Sequence, residues 1–291
     1  MAAKKKLALI GANGMLGKMV QQVAASDWEI CPLDLPDFDV TDTDAVNAVL
    51  AHLQPQLIIN CAAFTDVDGC ETQEPVATRI NGAGAGNLAL TAKTLDAILV
   101  HVSTDYVFSG SQTEPYLETD ATGPQSAYGR SKLAGERAII DSGLEKYFII
   151  RTSWLYGPGG KNFVETIIRL AKEREDLGVI DDQVGTPTYT FDLAQAILSL
   201  AGSDAYGVYH YSNEGQCSWY GFAQEIVRLA EQAGEALKIE TLRPIATEEY
   251  PLPATRPAYS VFSKGKFKAA TGNDVPHWQT SLTRYMELRR N

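Results

Sequence analysis

The sequence predicts an α/β protein: a doubly wound parallel sheet followed by a smaller C-terminal α/β lobe. Three observations predict it. Short apolar runs rich in branched residues recur at residues 6–10, 29–33, 56–63 and 97–102, which is how strands buried on both faces read. Helical patterns with short connections separate these runs, as parallel crossovers require. A glycine triplet, Gly11-x-x-Gly14-x-x-Gly17, joins the first run to the first helical pattern. That is the place and spacing of a turn that brings backbone N–H groups and a helix N-terminus against a pyrophosphate, and it makes the sheet Rossmann-type.

Composition narrows the function classes. At 291 residues, 45% hydrophobic and 21% charged, the chain has the make-up of an ordinary globular enzyme. The net charge is −11, and Lys4-Lys5-Lys6 is the one basic block. Nucleic acid and an anionic membrane surface are therefore poor main partners. No run approaches 18 apolar residues and no signal-peptide core opens the chain, so a cytoplasmic protein is expected. Cys31, Cys61, Cys70 and Cys217 lack paired spacing and read as reduced thiols. His52, His101, His210 and His277 are scattered without ligand spacing, and structural roles are expected for them.

Taken in order, the turn residues Gly11, Asn13, Gly14, Met15, Leu16 and Gly17 are candidates for holding a dinucleotide, with Leu16, Met19, Val20 and Val23 on the inner face of the helix. The second strand ends at Asp34, twenty residues after Gly14. A carboxylate there accepts from adenosine ribose hydroxyls and favours NAD over NADP. As an alternative at this end, Asp39 and Val40 are candidates to flank the adenine. Thr41 with Asp44 reads as a capping pair for a helix through Val46, Leu50 and Leu53. Pro55 resets the chain into the third strand, whose small Ala62 and Ala63, followed by Phe64 and Thr65, let a flat cofactor lie against backbone. A helix is expected over residues 75–93.

The fourth strand delivers Ser103 and Thr104 to the carboxyl end of the sheet, where open α/β folds bind ligands. After a polar loop at 109–125 a helix begins near Ser126. On it Tyr128 and Lys132 stand four apart and share a face. A phenol beside an ammonium is a proton-transfer device, since a cation within about 4–6 Å lowers the phenol pKa. Such pairs also arise by chance on many helices; the nucleotide turn and the hydroxyl at Thr104 single this one out. A strand at 147–153 leads to Trp154, for which core and ligand roles are both open. Later segments read as a helix at 162–174, a loop at 181–187, a helix at 191–200, a strand at 207–212, a helix at 219–232 capped by Ser218, a strand at 238–242 and a last helix at 277–289. Residues 1–155, joined by 186–213, are expected to form the dinucleotide domain, and 156–185 with 214–291 the second lobe.

Taken together, the glycine turn, Ser103-Thr104-Asp105-Tyr106-Val107-Phe108 and Tyr128-x-x-x-Lys132 resemble the extended short-chain dehydrogenase/reductase superfamily. Within it, Tyr128-Gly-x-x-Lys132-Leu-Ala-Gly-Glu136, Arg151-Thr-Ser-Trp154, Asp182-Gln-x-Gly185-x-Pro-Thr188, Trp219-Tyr220 and Pro253-Ala-x-Arg256-Pro257 resemble the dTDP-4-dehydrorhamnose reductase family. The likeness covers nearly the whole length. It implies NADPH or NADH as cofactor and a dTDP-sugar as substrate. It implies Tyr128 as proton donor, Lys132 as the residue that binds the nicotinamide ribose and lowers the phenol pKa, and Thr104 as the hydroxyl that orients the carbonyl. Asp105 and Trp154 would contact the sugar, and Asn162, Gln183 and Arg256 the nucleotide diphosphate end. Some members are described with Mg²⁺ held between subunits by glutamates. The matching positions here are Met19 and Phe191, so no such metal is expected, and a monomer or weak homodimer is. Two other readings stay open: a reductase or epimerase of another nucleotide sugar, and a non-catalytic regulatory subunit like the β subunit of methionine adenosyltransferase.

Overall fold

The computed structural model describes residues 4–24 and 26–289. Six parallel strands form the central sheet: β1 (Lys5–Ile10), β2 (Trp28–Leu33), β3 (Leu57–Asn60), β4 (Ile98–Thr104), β5 (Tyr147–Thr152) and, from later in the chain, β10 (Gly207–His210). Their spatial order is β2-β1-β3-β4-β5-β10. The chain leaves β1 in one direction for β2 and in the other for β3, so a switch point opens between β1 and β3, where α/β folds form a ligand crevice. Register aligns the carboxyl ends: Ile10 faces Leu33 and Asn60, Asn60 faces His101, and Thr104 faces Thr152.

Helices cover both faces. α1 (Met15–Ala24) lies against α8 (Thr190–Ala201), and with Leu9, Ile59 and Ile150 they enclose one apolar cluster. On the other face α2 (Thr43–Leu53), α5 (Gly84–Thr94) and α6 (Ala127–Asp141) bury Val46, Leu88 and Ile139 against Ile58 and Leu99. A separate cluster joins α7 (Phe163–Glu173), α9 (Trp219–Gln232) and α11 (Trp278–Arg289) around Tyr156, Ile168, Phe222 and Tyr285. Beside it β7 (Asp176–Ile180) pairs in parallel with β12 (Thr241–Ile245).

Several sequence expectations shift. The N-cap of α2 is Asp42, whose side chain accepts from the Ala45 amide at 3.0 Å, rather than Thr41, whose own amide donates to Asp39. The helix expected over 75–93 is interrupted. α3 (Val67–Thr72) and α4 (Glu74–Thr78) precede a π-turn at Arg79–Ala83, and α5 follows. The turn has a cause: the Asn81 amide clamps Phe64, accepting from its N–H at 2.7 Å and donating to its carbonyl at 3.1 Å, and also reaches Ser131 at 2.9 Å. Such π-bulges keep a side chain aimed at one target at the expense of regular pairing. The strand expected at 238–242 lies at Thr241–Ile245, where Pro244 is tolerated because β12 is an edge. α10 (Gly265–Thr271) went unpredicted. Its Phe267 packs in the cluster of Leu9, Ile59 and Ile150, against Tyr211, rather than in that of Tyr156 and Phe222.

Candidate active site

One cleft of about 950 Å³ follows the carboxyl ends of β1, β3, β4 and β5. Gly11, Gly14, Met15, Leu16 and Gly17 line one end with Asp34, Asp39 and Val40, and Ala62, Ala63 and Thr65 form a flank. Ser103, Thr104, Asp105, Tyr128, Lys132 and Trp154 line the other end. The turn demands its glycines. Gly11 has φ +74, and a Cβ there would fall 2.6 Å from the Ala62 nitrogen; a Cβ on Gly17 would fall 2.2 Å from the Gly11 oxygen. Strand, turn and helix therefore meet at backbone distance, leaving a cradle that a side chain would fill. Asp34 braces it: its carboxylate accepts from the Asn13 amide at 2.7 Å and the Leu35 amide at 2.8 Å. One oxygen thus serves the turn and the other the amide of the neighbouring Leu35, and Asn13 itself is exposed and outside the cleft lining.

Thr104 ends β4. Its hydroxyl donates to Asp105 Oδ1 at 2.9 Å and accepts from the Tyr106 amide at 3.3 Å, capping a short 3₁₀ turn. α6 starts where the sequence indicated, with Ser126 Oγ accepting from the Gly129 amide at 3.1 Å. Its first turn presses onto that 3₁₀ turn so closely that a Cβ on Gly129 would sit 2.2 Å from the Tyr106 oxygen. Tyr128 is thereby held edge-on to Tyr106, with ring centroids 5.4 Å apart. Beneath it, buried Glu136 pairs with Arg151 at 2.7 Å and accepts from Ser103 Oγ at 2.5 Å, anchoring α6 to β4 and β5.

The electrostatics correct one expectation. Burial raises the Tyr128 phenol above its ordinary pKa, the Asp105 carboxylate adds to this, and a hydrogen bond with Thr104 opposes them. Lys132 does not pull it down. The lysine is fully buried and its amine turns inward, to the Val102 carbonyl at 2.7 Å and to His101 Nε2 at 3.3 Å. Burial brings Lys132 down to about 8, against the pull of Glu136. Asp105 is pushed up to about 6 by burial, against hydrogen bonding from Ser260 and Thr104.

Trp154 adopts φ +46, a strained value for a bulky residue. Its ring stacks on Trp219 at 3.5 Å and 9°, and Gly185 leaves room for it: a Cβ there would meet the ring at 2.6 Å. The other residues assigned by resemblance stay out of the cleft lining. Asn162 caps α7 through Glu165 and ties Gly157 and Gly160; Gln183 donates to Thr247; Arg256 forms a two-pronged pair with Asp68, both bonds 2.7 Å. Met19 is buried in the first cluster, and Phe191 packs against it. The sequence gives no site role to Asn60 and His101 behind Lys132, to Asn81 or to Asp68, and expects only a structural one for His101. His101 carried one signal, an imidazole in an otherwise apolar strand three residues before Thr104.

A glycine turn at the switch point of a doubly wound sheet, sharing one cleft with a hydroxyl, a phenol and a buried amine, defines the Rossmann-type fold and site of the extended short-chain dehydrogenase/reductases. Residues 5–290 match the family model described as the RmlD substrate binding domain, and the chain belongs to that family. The spore coat polysaccharide biosynthesis protein SpsK of Bacillus subtilis is 42% identical over 286 residues, 98% of each chain. A dTDP-4-dehydrorhamnose reductase of Burkholderia thailandensis is 37% identical over 288 residues, 95% of this chain and 96% of that one. The solved dTDP-4-dehydrorhamnose reductase of Bacillus anthracis in complex with NADP superposes with a TM-score of 0.93 at 41% identity, covering 98% of this chain and 100% of that one.

Proposed function

We propose that this protein is a cytoplasmic NADPH- or NADH-dependent oxidoreductase that reduces the 4-keto group of dTDP-4-dehydro-β-L-rhamnose to dTDP-L-rhamnose, a precursor for cell-wall or surface polysaccharide. The observation that carries the proposal is the single cleft that joins the glycine cradle to Thr104, Tyr128 and Lys132, in a chain whose relatives are named for that reaction. The nicotinamide, when bound, supplies hydride to the carbonyl carbon. Tyr128 gives its phenolic proton to the carbonyl oxygen. Burial keeps the phenol protonated at neutral pH, so the proton to be given is in place before hydride arrives. Thr104 orients the carbonyl, and Lys132 holds the nicotinamide ribose. Asp105 and Trp154 face the sugar.

Residues 1–155 with 186–213 bind the dinucleotide in this reading, and 156–185 with 214–291, apart from the α10 region, close over the sugar nucleotide. Each Asp34 oxygen accepts one backbone amide and keeps acceptor capacity for an adenosine ribose hydroxyl, so Asp34 retains its lean towards NAD and both nicotinamides belong in the assay. We place the protein as a monomer or weak homodimer without a shared metal. Oxidation of NADPH and NADH, followed at 340 nm with a panel of dTDP, UDP and GDP keto-sugars, tests the proposal. Turnover of dTDP-4-dehydro-β-L-rhamnose is expected to dominate. Turnover confined to UDP or GDP sugars, or absent from all of them, refutes it.

A further inference from the structure

Behind the cleft, three side chains from three elements form a buried line: Asn60 at the end of β3, His101 in β4 and Lys132 in α6. Asn60 and His101 face each other across the sheet register, and both are almost fully enclosed. Hydrogen-bond direction can be followed along the line without ambiguity at its start. The Ala62 amide can only donate, and it does so to Asn60 Oδ1 at 3.0 Å. That fixes the orientation of the Asn60 amide group, so it is Nδ2, a donor, that lies 3.0 Å from His101 Nδ1. His101 Nδ1 must then accept. In a neutral imidazole the hydrogen therefore resides on Nε2, and Nε2 is the atom 3.3 Å from Lys132 Nζ. An N–H directed at this nitrogen is complementary to an amine lone pair and opposed to an ammonium. The remaining bond of Lys132, donation to the Val102 carbonyl at 2.7 Å, is available to either form.

We propose that His101, with its tautomer set by Asn60, is a positioning residue that presents Nε2–H to Lys132, favouring the amine and making Lys132 a titrating member of the cleft rather than a permanent cation. The role rests on the proposed participation of Lys132 in the reductase site, but the arrangement belongs to the protein alone. The surrounding charges are consistent with it. His101 is kept neutral, its pKa held well below the usual value by burial and by Lys132. On the β5 side its register partner is Ile149, and the nearest charge there, Arg151, is matched by Glu136. Glu136 on α6 favours the ammonium and works against His101, while Cys61, next to Asn60, has its thiol pushed up to about 12 and stays uncharged. The balance leaves Lys132 at about 8.

The test uses the ligand-free protein, so its failure is separable from failure of the proposed reaction. Long-range ¹H–¹⁵N spectra of ¹⁵N-histidine-labelled protein, with His101 assigned by signal loss in His101→Leu, are expected to show hydrogen on Nε2 and a bare Nδ1. Asn60→Asp offers two acceptors, one for Ala62 and one for His101, and is expected to move the hydrogen to Nδ1. The Lys132 titration, followed by ¹³Cε-lysine signals and assigned with Lys132→Met, is then expected to rise by roughly one pH unit or more. His101→Leu, which deletes the opposing N–H without adding charge, is expected to raise it as well and stands in if Asn60→Asp does not fold. Hydrogen on Nδ1 in the wild type, or a Lys132 titration unmoved in a folded variant, overturns the proposal.

Discussion

Lys132→Met is predicted to change the pH dependence of stability in a way that the buried amine alone can cause. Lys132 titrates near 8 in the folded protein against 10.5 as its ordinary value. Below pH 8 the folded chain must bury an ammonium, at a cost of about 3 kcal/mol as an upper figure. Between pH 8 and 10.5 the unfolded chain binds the extra proton, so wild-type stability rises with pH across this window. Above it the penalty is gone. Methionine fills nearly the same volume and never carries the charge, but it leaves the Val102 carbonyl without its donor, which costs about 1–3 kcal/mol. The variant is therefore expected to match the wild type or exceed it by up to about 2 kcal/mol at pH 7, and to fall below it by pH 10. Urea midpoints of both proteins at pH 7, 8, 9 and 10 measure this, since other titrations cancel in the difference. A stability difference that stays constant over that range would refute the reasoning.

Other consequences follow from the same geometry. Asp105 sits at about 6 in the fold against 3.8 ordinarily, so its burial lowers stability as pH rises through that interval; Asp105→Asn should gain up to about 3 kcal/mol in thermal or urea unfolding above pH 6 and nothing below pH 4. Glu136→Gln breaks a pair whose side chains are 6% and 2% exposed, and a loss of about 3–5 kcal/mol is expected by urea unfolding because Arg151 is left uncompensated. Gly129→Ala drives a Cβ towards the Tyr106 oxygen, where it would otherwise lie at 2.2 Å, and should cost about 1–3 kcal/mol. Its kcat should fall at least tenfold while nicotinamide binding, measured by fluorescence, changes little.

What the sequence disclosed and what it withheld divide along physical lines. Local rules carried far. Ser218 was legible as a cap, and the start of α6 near Ser126 as a helix start, because a hydroxyl three residues before a free amide is a local interaction. The glycine turn was legible because strand, glycine spacing and helix are contiguous. Tyr128 and Lys132 were placed on one face by helical pitch alone. Pitch, however, says nothing about where a long side chain ends. Lys132 bends to Val102 and His101, thirty residues away, and the phenol pKa moves opposite to the expectation. The resemblance puts Arg256 at the nucleotide diphosphate end, and no local rule shows that in the fold it pairs with Asp68, 188 positions distant. Gln183 and Thr247 meet in the same non-local way. The π-turn at Arg79–Ala83 was invisible because its cause, Asn81 reaching Phe64 and Ser131, exists only after the sheet has formed.

The most direct measurement is the single-turnover rate of dTDP-4-dehydro-β-L-rhamnose reduction by Tyr128→Phe with saturating NADPH. Removing the proton donor is predicted to slow the step by about 10²–10⁴ while nucleotide binding is retained. A rate within threefold of the wild type would contradict the assignment of Tyr128 as the acid.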